Sequence, residues 1–144
     1  MERTIERRVR APIEEVFAAL ADVTRTAEWH PATVEERWVT DPPHGVGSRR
    51  LAVSRTMGIR SENIAEVTIF EPPSALGLRT LDAPVPTEIT IRLERAGEAA
   101  TDIWWRTAMT PTGAGRPITR LALGTFTRTT RSGLDELARL LERR

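Results

Sequence analysis

His30 stands between Trp29 and Pro31, and its imidazole is the side chain in this chain best suited to moving protons near neutral pH. A catalytic histidine needs a positioned partner, and the usual nucleophiles are missing. The sequence has no cysteine, no tyrosine and no lysine, and no serine stands in a nucleophile-elbow setting. His30 is therefore open to three roles: capping or packing, contact with a ligand, or acid–base catalysis. Glu36 and Arg7 are the other candidates for catalysis, each falling on the apolar face of a strand-like segment. They pair with each other, meet a polar group of a ligand, or reach solvent from strand ends. His30 and His44 with scattered carboxylates have no metal-ligand spacing, so no metal and no cofactor is expected.

Composition narrows the field further. A chain of 144 residues is long enough to bury a core without a staple and is expected to be one domain over 1–144. Basic and acidic residues number 21 and 20, a net charge of +1, which makes no electrostatic case for nucleic acid or a membrane surface. The lack of lysine, beside abundant alanine and arginine, is what a high-GC coding sequence produces. It also excludes Schiff-base and P-loop lysine chemistry. No signal-like h-region opens the chain and no apolar run reaches the length of a membrane span, so a cytoplasmic protein is expected.

The elements that must hold these residues follow from periodicity. Glu2 to Arg10 alternates as a strand, and Ala11-Pro12 turns it into a helix over Ile13 to Asp22. Thr24 to His30 is a short second helical turn. A period of two then runs through Thr33–Thr40, Gly47–Met57, Ile59–Phe70, Ala75–Leu81, Val85–Arg95 and Thr101–Thr110, with Gly- and Pro-rich breaks between. Pro117 to Glu142 is a long helix whose expected apolar stripe takes in Ile118, Leu121, Thr125, Leu134, Leu137 and Leu141. The predicted class is α+β: seven antiparallel strands curved around the long C-terminal helix, with two short helices between strands one and two. That arrangement leaves a cavity between sheet and helix.

Strand parity nominates the lining. Arg7 shares a face with Ile5 and Val9, and Glu36 with Val34 and Trp38. Ser61, Asn63 and Ala65 fall with Val67 and Ile69, and Asn63 is a polar group that either orients a ligand or bonds a neighbouring strand. Leu76 and Leu78, Ile91, then Trp105 and Met109, complete the sheet's inner face. Trp29 sits at one end, Trp38 is pocket wall or core, and Leu121 and Thr125 come from the helix. Trp104 faces outward, so the chain is expected to be a monomer or a homodimer with Trp104 at its interface.

The segment Val9-Arg10-Ala11-Pro12-Ile13-Glu14-Glu15-Val16-Phe17, then Asp22 and Glu28-Trp29-His30-Pro31, carry a resemblance. So do Gly45-Val46-Gly47-Ser48-Arg49-Arg50, Phe70-Glu71-Pro72-Pro73 and Thr101-Asp102-Ile103-Trp104-Trp105-Arg106. In this order the chain resembles, along essentially its whole length, the START-like superfamily of polyketide cyclases/dehydrases and lipid-transport proteins (SRPBCC), with its Bet v 1-like helix-grip fold. The resemblance implies a cavity for a small hydrophobic or aromatic molecule. It also admits an aromatic polyketide cyclase acting by pocket-guided aldol cyclisation. A third expectation is a protein-interaction module whose large side chains fill the interior.

Overall fold

The computed structural model describes residues 1–56, 58–111 and 115–143. The expected strand end at Met57 and the core of the expected loop, 112–114, lie outside the described residues. The elements run β1 (Glu2–Val9), α1 (Ile13–Ala21), a 3-10 turn (Val23–Arg25), α2 (Thr26–Trp29), β2 (Thr33–Trp38), β3 (Arg49–Thr56), β4 (Ile59–Glu71), β5 (Ala75–Thr80), β6 (Thr87–Arg95), β7 (Thr101–Met109) and α3 (Arg116–Glu142). The strands form one antiparallel sheet in the order β1-β7-β6-β5-β4-β3-β2. Every strand from β2 to β7 pairs with its neighbour in sequence, and the first strand joins the last. This is the expected seven-stranded sheet gripping a C-terminal helix.

Local chemistry explains the joints. Pro12 at φ −61° precedes α1, where its missing N–H costs nothing. Asp22 Oδ1 accepts from Thr24 N at 2.9 Å and Thr24 Oγ1 at 2.6 Å, which caps the 3-10 turn. Gly47 adopts φ +94° before β3, a conformation that side chains rarely tolerate. At Gly133 a Cβ would lie 3.2 Å from the carbonyl oxygen of Trp29, so the glycine lets α3 settle closely on α2.

The C-terminal half of α3 seals the core. Leu134, Leu137, Ala138 and Leu141 are buried with Ile5, Val9, Val16, Phe17, Leu20 and Ile103.

Three expectations of parity are corrected. The β4–β5 ladder shifts register between Val67 and Ile69, so Phe70 rather than Ile69 turns inward, across from Leu76 and edge-on to Phe17 at 5.8 Å. A second shift, between Thr33 and Glu35 at the β2–β3 edge, leaves Val34 exposed although Glu36 stays inside. In α3, Ile118 and Leu121 are 67% and 72% exposed, and the buried stripe is Thr119, Leu123, Thr130, Leu134, Leu137 and Leu141. One continuous helix keeps one phase, and its leucine-rich C-terminal half sets that phase for the threonine-rich half upstream.

Candidate functional site

Between the inner face of the sheet and the N-terminal half of α3 lies a cavity of about 450 Å³. Its walls are built from cross-strand rows. On β2–β3–β4, Glu36 stands opposite Ala52, and Ala52 opposite Asn63. The next row brings Arg50 opposite Ala65, and Ala65 opposite Thr80 on β5. Leu78, Ile89, Ile91, Trp105 and Met109 form an apolar floor, and Phe126 of α3 closes over it. Trp105 donates from Nε1 to Thr107 Oγ1 at 3.2 Å, which holds its ring in the wall, and Trp29 packs edge-on to it at 6.1 Å.

One end of this cavity is polar. The side chains of Glu36 and Arg50 are only 6% and 10% exposed, and Glu36 Oε1 lies 3.5 Å from Arg50 Nη1. Thr26 Oγ1 donates to the same Glu36 oxygen at 2.7 Å. Burial pulls the Arg50 guanidinium below its ordinary value, and the Glu36 charge opposes that pull. A guanidinium stays a cation regardless. The Arg50 Nε, Trp29 Nε1 and His30 Nδ1 atoms are buried without a hydrogen-bonding partner among the described residues.

His30 closes the same end. Its Nε2 lies 3.4 Å from Thr130 Oγ1 on α3, and its ring packs near Phe126 at 5.9 Å. Burial pushes its imidazole down from 6.5 to about 4, so it is neutral at pH 7 and a weak base.

The cavity unites nine of the residues expected from sequence: Trp29, His30, Glu36, Ser61, Asn63, Leu78, Ile91, Trp105 and Met109. Five others lie elsewhere. Arg7 faces α3 and pairs with Asp135 at 2.9 Å, not with Glu36, because the helix lies against β1 there. Trp38, at the β2 end, stacks flat on His44 at 4.0 Å and packs on the core rather than lining the cavity. Leu76 is buried in the core beside Phe70. Leu121 and Thr125 line a shallow outer groove of α3, on the face turned away by the helix phase.

Among the site residues missed are Arg50, Thr26 and Phe126, and Arg50 is the one that carries charge into the polar end. In β3 the inward residues Arg50, Ala52 and Ser54 are charged or small, while the apolar Leu51 and Val53 point away, so hydrophobic alternation misleads. A usable signal was present. The tight turn at Gly58 sets Thr56 opposite Ile59, and counting back places Arg50 opposite Ala65.

Among the described residues, no group of three His, Cys, Asp or Glu side chains converges to hold a metal ion, and no helix is long and apolar enough to cross a membrane.

A curved antiparallel sheet wrapped on a long helix over an internal cavity defines the helix-grip class. Residues 2–142 match the model of the polyketide cyclase/dehydrase and lipid transport family, and the chain belongs to that family. No curated protein matches the sequence. Among solved structures, the Zhui aromatase/cyclase from Streptomyces sp. R1128 superposes with a TM-score of 0.82 at 17% identity, over 100% of this chain and 96% of that one. A START superfamily protein from Mycobacterium smegmatis gives 0.80 at 14% identity, over 99% and 97%. The di-domain aromatase/cyclase BexL from the BE-7585A biosynthetic pathway gives 0.81 at 18% identity. This chain is covered over 99% but spans only 46% of BexL. At such identities these likenesses speak for the fold.

Proposed function

We propose that the chain, read as one domain, binds a small hydrophobic or aromatic molecule in the cavity between the sheet and α3. The observation that carries this reading is the internal space of about 450 Å³, with mostly apolar walls and one polar end. Such a combination buries a ligand by its apolar area and orients it by a few polar groups. The unfilled interior argues against a collapsed interaction module. The cysteine-free composition fits a reducing compartment, and we place the protein in the cytoplasm as a monomer or a homodimer through Trp104.

Native mass spectrometry of freshly purified protein tests the binding reading. The expected result is a mass surplus that disappears on denaturation, together with a melting temperature that rises with added aromatic compounds. Absence of both would sink the reading. The same spectrum counts the subunits.

A second reading, an aromatic polyketide cyclase, is favoured by the placement of Glu36 and Arg50 together inside the cavity. A cation there would stabilise an enolate oxygen, and a carboxylate would take a proton. Turnover of a polyketide mimic that is lost in Glu36→Gln would establish it; no turnover leaves the binding role.

A further inference from the structure

We propose that the molecule held in this cavity is uncharged and offers a carbonyl-type acceptor to the Arg50 guanidinium. This rests on the binding reading above and specifies its ligand.

The first argument is an inventory of donors and acceptors at the polar end. Arg50 carries five N–H groups, and its one contact with a charged or polar partner among the described residues is the Glu36 ion pair at 3.5 Å. Its Nε is buried without an acceptor, and so is the indole Nε1 of Trp29, which also lines the cavity. On the acceptor side, Glu36 Oε1 already takes Thr26 Oγ1 at 2.7 Å as well as Arg50, which leaves Glu36 Oε2 and, in one tautomer, the unpartnered His30 Nδ1. Donors therefore outnumber acceptors at this end. A complementary ligand brings acceptors, and a hydrocarbon would leave the donors stranded.

The second argument is charge. Among the described residues, three charged side chains line the cavity: Glu36, Arg50 and Arg79. Arg79 is engaged outside by Glu66 at 2.9 Å. Glu36 and Arg50 neutralise each other, and His30 is uncharged at pH 7 because burial lowers its pKa to about 4. A ligand carboxylate would add an uncompensated negative charge beside Glu36 in a poorly solvated space. A ketone, ester or amide oxygen accepts from the guanidinium without disturbing that balance.

Three probes with one ring system separate the cases: 2-acetylnaphthalene, 2-ethylnaphthalene and 2-naphthoate, titrated calorimetrically at pH 7.5. The ketone is expected to bind about tenfold tighter than the hydrocarbon, the advantage typical of a hydrogen bond to a charged group, and tighter than the acid. Because Arg50→Met alone would strand Glu36, the variant is the double change E36L/R50M, which leaves no new donor behind and in which the ketone-to-hydrocarbon ratio falls to about one. A thermal melt checks its folding; if it does not fold, the wild-type order of the three probes decides alone. Equal affinity for ketone and hydrocarbon overturns the inference while leaving the binding reading intact. So does tightest binding by the acid, or a ketone advantage that survives the double change. Binding by none of the three overturns the binding reading and this inference with it.

Discussion

His30 shows how burial changes what a side chain can do. In the unfolded chain its imidazole takes a proton near 6.5, whereas the folded protein accepts one only near 4. Between those values the unfolded state holds more protons, so stability falls as pH drops through that window and the loss is complete at its lower end. By pH 5 this single group removes about 2 kcal/mol of folding stability. Urea unfolding at pH 7.5 and pH 5 measures it, and the His30→Gln variant is expected to lack that increment. An identical pH slope in both proteins would refute the burial argument. The residue's type and setting were legible in the sequence, since His30 does line the cavity. Its neutralisation was not, because it depends on Thr130 and Phe126, which lie about a hundred positions away on α3. Arg7 failed for the same kind of reason. Parity placed it inward correctly, but only the path of α3 decides that Asp135 receives it.

Elements carry the next set of differences, and each is a matter of phase, which hydrophobicity alone does not report: a local shift in two strands, and in α3 one phase kept over the whole helix. The register shifts in β2 and β4 re-aim the residues beyond them, exposing Val34 and bringing Phe70 in for Ile69. At the β4–β5 shift Gly77 leaves no room for a side chain, because a Cβ there would sit 2.7 Å from Thr68 Oγ1. In α3 the exposed Ile118 and Leu121 look like core, and the buried Thr119 and Thr130 look like surface. The helix phase makes a sharp prediction. Leu123, 2% exposed, is expected to cost about 2–5 kcal/mol when changed to alanine, through lost contacts and a residual cavity. Leu121→Ala, on the outer face, is expected to change stability by no more than about 0.5 kcal/mol. Chemical denaturation of the two variants reads the difference, and the reverse order would mean that the helix is turned the other way. Where phase is uninterrupted, in β6 and β7, alternation placed Ile91, Trp105 and Met109 correctly.

At the scale of the whole molecule the cavity follows from a division within one helix. The C-terminal half of α3 presents Leu134, Leu137, Ala138 and Leu141, and these pack tightly with β1, β7 and the short helices. The N-terminal half contributes a single large ring, Phe126, to the lining, and the inward residues of strands β3 to β5 there are often small: Ala52, Ser54, Ser61, Ala65 and Thr80. Small side chains on the sheet and one ring from the helix do not fill the space that a curved sheet sets between them, so a void remains beyond the reach of the leucines. The small residues are visible in the sequence, but that they line one space under Phe126 is a property of the fold. If this void is the working part of the protein, filling it should abolish binding without harming the scaffold. Ala52→Phe does that from the centre of the β2–β3–β4 row, between Glu36 and Asn63. The added ring buries apolar area inside a ready space, so the melting temperature is expected to hold or rise. Affinity for a naphthalene-sized ligand is expected to fall at least about tenfold, since the ring takes the same volume. A variant that stays folded and binds as well as the parent would place the binding site outside the cavity and detach the ligand role from the sheet–helix division.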